Sequence, residues 1–238
     1  MFILAVSGSA IGLGNIWKFP YITGVNGGGA FVIIYLICIF SIGLPIMISE
    51  IMIGRKGRRN PITSMEILGK EETGNGVWKI VGFIGLMAGF LILSFYSVIA
   101  GWTFHYFLLT LQGLFIETSA TEVKTVFNQL TQSIPKQLLY HSFFMILTVS
   151  IISKGVRNGL EKAVYFMMPA LLIIMCVLLY YSITQGNFSE GVSFLFKPDF
   201  SIITASTILV AMGHAFFTLS LGMGCVVMYG AYLEEHES

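Results

Sequence analysis

Three glycines in seven residues, Gly8, Gly12 and Gly14, stand with Ser7, Ser9 and Asn15 inside an otherwise apolar stretch. Each glycine costs a helix about 1 kcal/mol relative to alanine, so a turn of helix is expected to open here. In hydrocarbon each freed backbone group without a partner costs several kcal/mol, so these groups must line a cavity rather than face lipid. Carbonyl oxygens suit a small hard cation, and N–H groups at the start of a following half-helix suit a carboxylate. A second such place lies near the end of the chain, where Gly222 and Gly224 flank Met223 beside Thr218 and Ser220.

The elements that hold these groups are apolar spans. The 238 residues are 55% hydrophobic and only 11% charged, a membrane composition rather than that of a soluble domain. Net charge is +1, which gives no reason to expect nucleic acid as a partner. Cys38, Cys176 and Cys225 form no CxxC pair and read as small apolar residues. His105 and His141 show no ligand spacing with each other or with Glu66, which removes support for a metalloenzyme. Six segments are long enough to cross about 30 Å of hydrocarbon, near residues 2–23, 30–53, 77–112, 137–153, 160–184 and 203–233. Pro45 and Pro169 fall inside spans, where kinks are tolerated. Arg55, Lys56, Arg58, Arg59, Lys70 and Lys79 crowd one loop, and Lys154, Arg157 and Lys162 another, against Lys124, Lys136 and Lys197 on the opposite side. The positive-inside rule then puts the N-terminus in the cytoplasm. The long loop 113–136 on the other side has room for a short helix.

The sequences GSAIGLGNIWKFPY, NGGGAF, FLFKPDF and FFTLSLGMG, in that order, resemble the neurotransmitter:sodium symporters. The resemblance covers nearly the whole chain. It implies an all-α integral membrane fold in which six transmembrane helices make the first repeat of an inverted five-helix-repeat transporter plus the first helix of the second. The first and sixth helices are then unwound in mid-membrane. The implied activity is sodium-coupled symport of an amino acid across the plasma (inner) membrane, with no enzymatic step.

Site roles come from the same resemblance. Ala10, Asn15 and Thr218 look like part of one sodium site, and the carbonyls of Gly8 and Ile11 like part of a second. Read from the residues alone, Asn15 and Thr218 are better taken as caps of broken helix ends than as ion ligands. Ala10, Leu13 and Gly14 lie along the substrate. The N–H groups of Leu13 and Gly14 and the Tyr96 hydroxyl would clamp its carboxylate. Phe217, Thr218 and Ser220 would accept its ammonium. Ile92, Tyr96, Phe217 and Met223 would line a pocket without charge, which favours an apolar or aromatic side chain; the adaptable Met223 widens that range. Lys18 stands where the family usually has an arginine that pairs with an aspartate on a later span. Its alternative is snorkelling to the outer surface. Glu50, near the inner end of the second span, either supports the unwound segments or is an interfacial carboxylate. His214 departs from the family's usual glutamine. With Tyr35 and Thr218 it would surround a chloride or sense pH, and otherwise it is a satisfied core histidine.

The resemblance also implies more spans than six. The chain starts at the first span and ends at EEHES after the sixth, so it is expected to be an N-terminal half whose partner is the C-terminal half. A sodium-coupled transporter half and a non-transporting membrane subunit or remnant both remain open at this level.

Overall fold

A computed structural model describes residues 8, 10–116 and 118–233; residues 2–7 of the first span, with Ser7 and Ser9, lie outside them. The described residues are helical almost throughout, with one isolated backbone bridge and no strand. The chain folds as two compact units, Met1–Ala88 with Ala163–Ser238, and Gly89–Lys162.

In the first unit the chain leaves the helix at Ile11–Gly12 and resumes as a π-helical turn, Gly14–Lys18, then α1 (Phe19–Val25). Helix α2 (Gly29–Cys38) runs through a second π-helical turn, Ile39–Gly43, into α3 (Leu44–Gly57). The expected second span thus reaches from Gly29 to Gly57 as one apolar run. Pro45 sits just after the π-helical turn, inside this continuous helix. Helix α4 (Pro61–Thr73) starts where Asn60 accepts from the Thr63 N–H at 2.9 Å and Pro61 fixes φ, and ends on a left-handed Gly74. A single turn, Gly76–Trp78, leads into α5 (Lys79–Leu111), which passes into the second unit.

The second unit holds α6 (Ala120–Gln132), the short helix for which the loop had room, and α7 (Ile134–Ile152). A capping box opens α6: Ser119 and Glu122 satisfy each other's backbone N–H. The Ser119 hydroxyl, and then its N–H, hold the Glu122 carboxyl below the usual carboxylate range. Back in the first unit come α8 (Glu161–Gln185), which contains Pro169, then α9 (Phe188–Phe196), α10 (Ala205–Thr218) and α11 (Cys225–Ala231). The expected sixth span is therefore two helices with the glycine-containing segment between them.

Two contacts organise the first unit. Helix α10 lies against α2, with Phe31, Tyr35, Cys38, Ala211 and Ala215 buried together and Phe19 and Met212 packed onto them. Helix α11 lies along α3 at very close range. A Cβ on Gly54 would run into the Val227 carbonyl and come within 2.9 Å of the Ala231 nitrogen; one on Gly230 would stand 2.5 Å from the Ile51 carbonyl. Small residues at both faces let the backbones touch, the usual way helices associate in lipid, where apolar burial gives little.

Gly54→Leu is expected to lower the melting temperature of the detergent-solubilised chain by about 5 °C or more, because overpacking against backbone cannot relax. Gly191→Ala, where a Cβ meets nothing within 4 Å, is the control and should not lower it. An unchanged melting temperature for Gly54→Leu would contradict the packing described.

Candidate functional site

The two interrupted segments meet through one side chain. Asn15, at the start of the first π-helical turn, donates from Nδ2 to the Ala10 carbonyl at 2.7 Å. Its Oδ1 accepts from Thr218 Oγ1 at 3.0 Å, at the last residue of α10. The Tyr35 hydroxyl hydrogen-bonds to the same Thr218 side chain. Ala10, Asn15 and Thr218, three of the residues singled out in the sequence, are thus brought together. Their oxygens are neutral and hard, the donor type that suits an alkali or alkaline-earth cation. A carbonyl has two lone pairs, so Ala10 can accept from Asn15 and keep a second one for an ion.

Ring packing closes the same region. Gly14 is buried against Phe217: a Cβ there would stand 2.5 Å from the ring. Only glycine admits that approach. Leu13 stands immediately before the π-helical turn as its N-cap residue. Gly8 lies against Val164 and Met168 of α8, so apolar side chains face it from that helix. Ile11 is exposed, at 41%. Ile92 and Tyr96 are half-buried one turn apart on α5, in the second unit, so the two halves of the expected carboxylate clamp sit in different units.

The second interruption is held by backbone conformation and by one carboxylate. Ser220, Gly222 and Gly224 take φ of +55°, +76° and +75°, the left-handed region that ends a helix. Glycine adopts it freely, whereas Ser220 is held there inside a buried turn whose Leu221 N–H reaches the Phe216 carbonyl at 3.0 Å. Met223 is half-buried between the two glycines. Glu50 of α3 is buried and accepts from the Gly222 N–H at 2.7 Å; its Oε2 is buried with no hydrogen-bond partner among the described residues. Of the two readings of Glu50, support for the broken segment is the one this geometry matches.

His214 is buried one turn before Thr218. Its ring stacks on Phe19, centroids 5.1 Å apart, and lies 5.9 Å from Tyr35. Its Nε2 is buried with no hydrogen-bond partner among the described residues. Lys18 is exposed and makes no ion pair among the described residues.

Sequence reasoning missed the tie between the 27–29 and 197–199 backbones. Gly28 pairs with Pro198, the Gly29 N–H donates to Lys197 at 3.3 Å and the Asp199 N–H donates to Gly27 at 3.0 Å. A Cβ on Gly27 would stand 2.6 Å from the Asp199 carbonyl. Three consecutive glycines were the available signal for backbone lying on backbone.

The sequence profile described as the Sodium:neurotransmitter symporter family matches residues 1–131 and 115–238. A Bacillus subtilis protein named uncharacterized sodium-dependent transporter YhdH is 40% identical over 237 residues, covering 100% of this chain and 52% of the relative. An uncharacterized sodium-dependent transporter of Haemophilus influenzae is 34% identical, covering 100% of this chain and 53% of its own length. A bovine sodium-dependent neutral amino acid transporter, B(0)AT2, is 27% identical, with 97% of this chain and 35% of that protein covered. The crystal structure of MhsT in complex with L-phenylalanine superposes with a TM-score of 0.88 at 42% identity, over 98% of this chain and 52% of that one. The chain spans about half the length of the curated relatives it matches.

Glu50→Ala should leave the Gly222 N–H without its buried acceptor, at a cost of about 1–3 kcal/mol. Hydrogen exchange of peptides covering residues 219–225 should then speed up by about tenfold or more. Unchanged exchange there would mean that Glu50 does not hold the segment.

Proposed function

The chain belongs to the sodium:neurotransmitter symporter family, and on that premise we propose that it serves sodium-coupled symport of an apolar or aromatic amino acid across the plasma (inner) membrane. It is an integral membrane protein of a transporter family and not an enzyme. The observation that carries the proposal is the Ala10–Asn15–Thr218 cluster, where neutral oxygens from both interruptions converge. The phenylalanine bound to MhsT and the neutral amino acid named for the bovine relative support the substrate class.

In this reading the fold has six spans, the first and sixth broken and antiparallel, with the N-terminus in the cytoplasm. The Ala10 carbonyl, Asn15 Oδ1 and Thr218 Oγ1 hold one sodium ion, and the carbonyls of Gly8 and Ile11 contribute to a second. Bound sodium supplies positive charge beside the substrate carboxylate. The N–H groups of Leu13 and Gly14 orient that carboxylate. Phe217, Thr218 and Ser220 take the ammonium, and Phe217 and Met223 wall the side chain. Thr218 belongs to both sets, and that shared residue couples ion and substrate. Tyr35 and His214 are proposed to hold chloride beside Thr218, with Lys18 at the outer gate.

A chimera tests this, with these 238 residues replacing the matching length of the Bacillus subtilis relative. In liposomes, an inward sodium gradient should drive phenylalanine uptake that potassium does not support. Asn15→Ala and Thr218→Ala should each raise the half-saturating sodium concentration by about tenfold or more, since each removes a ligand of a buried ion. Sodium-independent uptake, or unchanged half-saturation in both variants, would sink the assignment.

A further inference from the structure

At the end of α3 the chain passes from apolar to strongly basic within one turn, from Met52 and Ile53 to Arg55, Lys56 and Arg58. Helix α4 folds back beside it and leaves a cleft of about 780 Å³. Met52, Ile53 and Leu68 form its apolar wall; the three cations and Glu72 form its charged rim. The rim thus carries three cations against the Glu72 carboxylate, with Glu71 close enough to act on Lys56 as well. Glu72 is engaged by Lys56 at 2.6 Å, in a pair whose side chains are 57% and 67% exposed, and such an open pair yields readily to a stronger anion. Arg58 donates to the Leu233 carbonyl, a neutral acceptor that leaves its charge in place. Below the rim, Met52 (64% exposed) and Ile48 (54%) lie one turn apart on α3 and continue the apolar wall down the span.

We propose that this cleft seats the headgroup of one anionic phospholipid, with an acyl chain laid along the Ile48–Met52 stripe. The two halves of the cleft match the two halves of that molecule. A phosphate at the level where a span ends meets the guanidinium and ammonium groups, and the apolar wall meets the chain below it. A soluble anion would use the rim and leave the wall unused, so the site favours a lipid over free phosphate.

The test is native mass spectrometry of the 238-residue chain in nonionic detergent, titrated with phosphatidylglycerol or phosphatidylcholine. Phosphatidylglycerol should bind more tightly by about fivefold or more, since a single cation near an anionic headgroup is worth about fivefold. Arg55→Gln, Lys56→Gln and Arg58→Gln together should abolish the preference, whereas Lys124→Gln with Lys136→Gln should preserve it. Glu72→Gln removes the competing carboxylate and should tighten phosphatidylglycerol binding by about threefold; this variant decides the matter if the triple one fails to fold. Equal affinity for the two lipids, a preference that survives the triple change, or no gain from Glu72→Gln would overturn the proposal. So would displacement of the lipid by glycerol phosphate at equal concentration, which would make the site one for soluble anions.

Discussion

A helix broken inside a bilayer must satisfy its own freed backbone, because no water is there to do it. That constraint accounts for the polar contacts at the two interruptions. The first interruption frees the Ala10 carbonyl, and the Asn15 amide takes it up. The second leaves the Gly222 N–H outside any helix, and Glu50 accepts from it. Asn15 then hydrogen-bonds to Thr218, so the two breaks are satisfied in common rather than separately.

Close backbone approach keeps the breaks in register. Gly54 and Gly230 let α11 lie directly on α3, which carries Glu50 to the second interruption. At the far end of the half-helix, Gly27 to Gly29 lie on the 196–199 backbone, and the Phe194 ring covers Gly24. Asp199 lies in that connection, and the Ser201 hydroxyl, then its N–H, hold its carboxyl below the usual range. The half-helix after the first break is therefore anchored independently of the break.

Much of this was legible where a residue type has one conformational meaning. Gly222 and Gly224 announced a break because glycine adopts the left-handed region freely, and both take it. Ser220 gave no such signal, since its positive φ is imposed by the turn around it. The grouping of Ala10, Asn15 and Thr218 came from the family resemblance; spacing alone left Asn15 as a helix cap, and the bond to a residue 203 positions away is a tertiary fact. His214 was open between a core group and an anion ligand, and burial beside Phe19 could be settled only by packing. Gly8 and Ile11 were assigned to a common ion on the same resemblance, yet Gly8 meets Val164 and Met168, neighbours that no local pattern encodes.

The claim on which the account stands is that Asn15 and Thr218 act as one unit joining the two breaks. A double-mutant cycle with Asn15→Ala, Thr218→Ala and the pair, read by urea or thermal unfolding in detergent, measures it directly. Their 3.0 Å hydrogen bond, part-buried and shared with Ala10 and Tyr35, predicts a coupling of about 1 kcal/mol, with the double variant losing less than the sum of the single ones. Strictly additive losses would show the two residues acting independently and would contradict it.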